Sequence, residues 1–135
     1  MKKKKTTSKY HYAKGRRKSA VATVRLFAGK GDNLINNKKI ADTYASPREM
    51  YKLYHPFEQT DTKGKFHFHV KTTGGGKSGQ LDAITLALSR ALIKTGEDLR
   101  APLKKAGLLT VDARVKERKK PGFKKARKKQ QFSKR

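Results

Sequence analysis

Phe66-His67-Phe68-His69-Val70-Lys71-Thr72-Thr73-Gly74-Gly75-Gly76-Lys77-Ser78-Gly79-Gln80-Leu81 changes its hydrophobic period part-way along, and that change decides the fold. Over residues 66–71 apolar and polar side chains alternate, placing Phe66, Phe68 and Val70 on one face of a strand. Beyond the glycines, Leu81, Ile84, Leu88, Ala91 and Leu92 recur at helical spacing, the stripe of an amphipathic helix ending near Gly96. Upstream, residues 20–27 are rich in β-branched and apolar side chains, with Ala20, Ala22, Val24 and Leu26 on one face. Gly29 and Gly31 then supply a turn into a short strand at 33–36, so the two runs predict a hairpin. Residues 37–57 predict short helices lined by Ile40, Tyr44, Met50, Leu53 and Tyr54, with Ser46 as N-cap and Pro47 in the first helical position. Residues 97–106 predict a second helix, with acids early and lysines late, Gly107 as C-cap and Pro102 in its first turn or interrupting it. A last strand is expected at 108–111. The sum is an α+β chain, a two-layer sandwich of a small mixed sheet with helices on one face.

Charge divides the chain differently. Of 135 residues, 36 are Lys or Arg and 10 are Asp or Glu, a net charge of +26. Residues 1–18 carry +9, residues 19–109 only +7, and the last 26 residues +10. This predicts a disordered basic lead at 1–9, a globular domain at 10–109 and an extended basic tail at 110–135. The tail's apolar residues are too sparse to offset the entropy of ordering its backbone, so it is expected to be disordered alone and to order on a dense array of phosphates. Nucleic acid is therefore the expected partner. With no Cys, disulfides and thiolate metal sites are excluded. Apolar runs fall far short of the ~20 residues a membrane span needs, and no apolar core follows Met1 and its lysines to make a signal peptide. The simplest expectation is a cytoplasmic protein with no membrane partner, no small-molecule substrate and no cofactor.

The glycine loop is the one motif that invites an enzymatic reading. Gly74, Gly76 and Gly79 have the spacing of a dinucleotide fingerprint, and Glu97 and Asp98 lie near the offset of a ribose-binding acid. That acid should end a second parallel strand, whereas here it follows a helix terminus. A P-loop would need glycine at position 71, which is Lys71. Flexible amides at a helix N-terminus, with Gly76, Lys77 and Ser78, instead suit an RNA phosphate. His67 and His69 share a strand face without a third metal ligand nearby in sequence, which points to an exposed face lying on RNA. Gly15-Arg16-Arg17-Lys18 follows Tyr10 and Tyr12, and rings interleaved with cations suit unpaired bases and their phosphates. Phe123 and Phe132 stand in the tail with no core to join and are expected to stack on bases or wedge into RNA. No catalytic constellation is visible, so no enzymatic activity is expected. A histone-like, sequence-blind nucleic-acid-binding protein is the alternative that composition allows.

Together these landmarks resemble the bacterial-type family of small-ribosomal-subunit protein nine. The resemblance covers roughly residues 10–135. It rests on Gly15-Arg16-Arg17-Lys18-Ser19-Ala20, the glycine loop with Gln80, Asp98-Leu99-Arg100, Leu103-Lys104-Lys105-Ala106-Gly107, Glu117-Arg118-Lys119-Lys120-Pro121-Gly122, Lys125-Ala126-Arg127 and Gln131-Phe132-Ser133-Lys134-Arg135. Departures are Ala13 and Lys14, where the family commonly has Gly and Thr, and Val111 in place of Arg. The resemblance implies a left-handed βαβ crossover and a place in the subunit head, beside small-subunit rRNA and neighbouring head proteins. It also implies that Arg114, Arg118, Lys119, Lys120, Lys124, Lys125, Arg127, Lys128 and Lys129 contact rRNA. By the same resemblance, Ser133, Lys134 and Arg135 reach the anticodon stem-loop of P-site tRNA. Extended, the tail beyond Ala113 could span ~75 Å.

Overall fold

The computed structural model describes residues 9–134. The expected lead at 1–9 lies outside these, apart from Lys9. Five strands form one mixed sheet in the spatial order β1-β2-β5-β3-β4. They are β1 (Tyr10–Arg17), β2 (Ala20–Ala28), β3 (Leu34–Ile35), β4 (Lys38–Lys39) and β5 (Phe66–Thr73). β2 runs antiparallel to both β1 and β5, and β3 runs parallel to β5. The helices are α1 (Ile40–Thr43), α2 (Pro47–Gln59), α3 (Lys77–Thr95) and α4 (Arg100–Lys105), with a 3₁₀ turn at Glu97–Leu99. No helix among the described residues is long and apolar enough to cross a membrane.

β2, β5 and α3 form where their periodicity places them, and Ala20, Ala22, Val24, Leu26, Phe68 and Val70 are all buried. Three expectations fail. β1 occupies residues that the sequence marks only as rings and cations suited to RNA, with no strand expected there, and it is β1, not the 33–36 segment, that makes the hairpin with β2. Leu34 and Ile35 pair instead with His69 and Val70 of β5, because the chain between β3 and β5 (β4, α1 and α2) forms a crossover rather than a turn. Residues 108–111 are turn and coil, not a strand. Their apolar side chains Leu108 and Leu109 pack against the core without joining the sheet.

α3 is more deeply enclosed than an amphipathic stripe requires. Every residue from Ala83 to Leu92 except Arg90 is buried. The sheet lies on one side and α2 on another, with Leu53 and Phe57 of α2 also in the core. The two hydroxyls this buries bond back along the helix: Thr85 Oγ1 donates to Leu81 O at 2.9 Å and Ser89 Oγ to Thr85 O at 2.9 Å. Contact with the sheet is close because β1 presents only Ala13 and Gly15 to the middle of the helix. A Cβ on Gly15 would stand 2.1 Å from Ala83 O and 2.7 Å from Ala87 N. Along the outer margin of β1, Arg90 Nη1 donates to Lys14 O at 2.8 Å and the Lys94 ammonium donates to Tyr12 O. At the opposite margin the two-residue β4 is a pair of exposed lysines.

Candidate nucleic-acid interface

At one end of the sheet the fold gathers three segments that are far apart in sequence. The turn at Lys18 and Ser19 joins β1 to β2, and the glycine loop leads from β5 into α3. They touch: Gly74 and Gly75 have φ of 72° and 64°, and a Cβ on Gly74 would lie 2.5 Å from Ser19 O. Positive φ and this close approach explain the first two glycines without any nucleotide. Gln80 Nε2 donates to Gly74 O at 3.0 Å and fastens the loop to the helix. Gly76, Lys77 and Ser78 are exposed at the start of α3. Lys77 already faces Glu49 at 3.4 Å and lies over the Tyr44 ring at 5.4 Å. That ring is buried, and burial pushes the Tyr44 phenol up, helped by the charge of Glu49.

The third segment is the root of the tail, and Arg17 holds it. Arg17 Nη1 donates to Arg114 O at 2.9 Å and faces Asp112 Oδ1 at 3.3 Å, while its Nε faces Asp82 Oδ2 of α3 at 3.5 Å. Lys52 of α2 pairs with the same Asp82. Of the three cations read together at the start of the chain, Arg16 and Lys18 are exposed, whereas the Arg17 side chain is only 13% exposed and engaged with protein groups. Sequence reasoning missed this clamp because its partners lie on α3 and at position 112.

Asp112 is the anchor's centre. Arg114 donates to it from its backbone N at 3.1 Å, from Nε at 3.0 Å and from Nη2 at 2.7 Å. Arg114's hydrogen bonds, then its charge and that of Arg17, hold the Asp112 carboxyl well below the usual carboxylate range. A carboxyl depressed in the folded state contributes stability above its unfolded pKa and loses it as pH falls through the lower folded value. Asp112 should therefore remain ionised at about pH 3, where an ordinary Asp is mostly protonated. Carbon-detected carboxyl NMR would show this. An ordinary midpoint would mean that the clamp does not persist in solution.

Past the root, the tail contains no helix, and its only strand pairing among the described residues is an isolated bridge between Phe123 and Lys129. The extended form expected for it is not what the structure has here, because Glu117 draws two cations inward. Lys120 Nζ donates to Glu117 Oε1 at 2.7 Å and to Ala126 O at 3.2 Å, and Arg127 Nε donates to Glu117 Oε2 at 2.9 Å. Lys120 and Arg127 in turn keep the Glu117 carboxyl below its ordinary value. Gly122, at φ 80°, turns the chain, and Lys124 N donates to Lys128 O at 2.8 Å. The expected rRNA contacts Arg118, Lys119, Lys124, Lys125, Lys128 and Lys129 are all exposed, as is Lys134. Phe132 projects fully into solvent and Phe123 is half-buried within the loop. Arg135 lies outside the described residues.

The sequence that builds this cationic end and clamped tail matches a known family. Residues 15–135 match the family described as ribosomal protein S9/S16. The chain belongs to that family. Two relatives from separate strains of Dehalococcoides mccartyi, each named small ribosomal subunit protein uS9, are 50% identical over 126 residues, covering 93% of this chain and 96% of theirs. A third from the same species, with the same name, is 48% identical over the same share of each chain. The family match begins at Gly15, so it takes in the close contact with α3, the Arg17 clamp and the whole tail.

Proposed function

We propose that the chain is a structural constituent of the small ribosomal subunit that binds rRNA in the subunit head. In this reading Arg16 and Lys18, the backbone amides of Gly76, Lys77 and Ser78 with the side chains of Lys77 and Ser78, and the tail cations from Arg114 to Lys129 meet rRNA phosphates. Ser133, Lys134 and Arg135 touch the anticodon stem-loop of P-site tRNA. Arg17 acts from behind, fixing where the tail leaves the domain. The observation that carries the proposal is the joining of the tail's root to the cationic end of the sheet through Arg17, Asp82 and Asp112. It ties the root of the tail to the end of the sheet that carries the exposed Arg16 and Lys18. The names of the relatives support the same reading. On rRNA the Glu117 loop opens into an extended tail, since phosphates offer its cations more charge than one carboxylate does.

The test is Lys134→Ala with Arg135→Ala in reconstituted subunits. P-site tRNA affinity is expected to fall about tenfold, the scale of one or two lost charge-assisted contacts, while subunit assembly is unchanged. Equal tRNA affinity at both low and moderate salt would overturn the tail contact.

A further inference from the structure

The helices cover one face of the sheet and leave the other bare. Register places its side chains in rows across β1, β2 and β5. Tyr10, Phe27 and His67 form one row, Tyr12, Arg25 and His69 the next, and Lys14, Thr23 and Lys71 a third. Phe27 stacks on His67 at 5.0 Å and meets Tyr10 at 5.6 Å and His69 at 5.1 Å, so the first row is a packed aromatic ledge. Beside it a groove of about 480 Å³ opens around Tyr12, Arg25, His69 and Lys71. Its far wall is rigid, because Asn36 Nδ2 donates to Thr72 Oγ1 at 2.9 Å and Asn36 Oδ1 accepts from Thr72 N at 2.9 Å. Tyr12 is 39% exposed, and Arg25, His69 and Lys71 are exposed. None of the residues that β1, β2 and β5 turn to this face is acidic.

We propose that this groove is a separate binding site for an unpaired stretch of RNA, with bases stacked on Tyr12 and His69 and phosphates held by Arg25, Lys14 and Lys71. The occupant follows from the chemistry of the face. Cations without carboxylates select a polyanion. Aromatic rings among them reward exposed base faces, which a duplex keeps buried in its own stack. A protein partner fits less well, since lysine is depleted in the cores of protein interfaces. The site shares the premise that the chain binds RNA, but it uses neither the tail nor the glycine loop.

The experiment titrates the full-length protein into a labelled RNA single strand of about ten nucleotides and, separately, into a duplex of equal length, at several salt concentrations. The variant is Tyr12→Ala with His69→Ala. Both positions are exposed, and neither substitution alters formal charge at neutral pH. Single-strand affinity is expected to fall about tenfold or more, from the loss of one or two stacking contacts. Duplex affinity and the salt slope should be unchanged, and Tyr12→Phe should restore single-strand binding. Ultraviolet cross-linking should place adducts on Tyr12, Phe27 or His69. Equal losses on single strand and duplex would overturn the proposal, as would no loss at all, the result expected if the face serves a protein. Neither outcome bears on the P-site tRNA measurement, which reads the tail tip.

Discussion

Gly15→Ala is expected to destabilise the domain by about 3 kcal/mol or more, at or beyond the upper end of ordinary overpacking. The added methyl would meet Ala83 O and Ala87 N, atoms of helix backbone that no rotamer change can move. α3 would have to shift bodily from β1, loosening the helix that the whole core surrounds. Since a domain of this size has about 5–15 kcal/mol to lose, the variant should unfold at much lower urea with an unchanged m-value. Gly79→Ala is the matched control. Its Cβ would make only ordinary contacts of 3.6 Å and 3.7 Å, and alanine favours the helix, so stability should hold or rise slightly. Equal midpoints for the two variants would show that the sheet and α3 do not pack this closely.

Truncation after Val115 should have the larger effect on binding. It removes eleven cations and one carboxylate but keeps Asp112 and Arg114, so the root stays clamped and the melting temperature should hardly move. If about half of those cations meet phosphates, the slope of log affinity against log salt should flatten by about four, with a loss of several orders of magnitude in rRNA affinity at low salt. An unchanged slope would assign the phosphate contacts to the domain instead.

How far the fold could be read depended on how local its cause was. β5 and α3 carry their own periodicity, so Phe68, Val70, Leu81, Ile84 and Leu88 fall inward as expected. β1 does not, because its inward positions at the helix contact are Ala13 and Gly15, chosen for closeness rather than bulk, and its outward ones are rings and cations. Without an apolar alternation it reads as a charged run ahead of the first strand. The 33–36 segment misled for the opposite reason: a two-glycine turn marks a bend but not the partner, and β3 reaches β5 only through a crossover. In the candidate interface the charge density of the tail was plain from composition. The internal role of Arg17 was not, since the group it bonds, Arg114 O, is 97 residues away. The sheet's bare face was half legible: Tyr12 and His69 each stood out, but only the register with Arg25 sets them side by side.

The sheet's two margins bear on copies of the chain that have not yet met RNA. One margin has carbonyls occupied by Arg90 and Lys94, and the other is Lys38 and Lys39. Neither offers another copy a clean template for strand addition, the usual route by which open sheets grow into fibres. Collisions between copies also bring like charge together, at +26 each. Separate molecules are therefore kept from joining edge to edge by the same side chains that trim the fold.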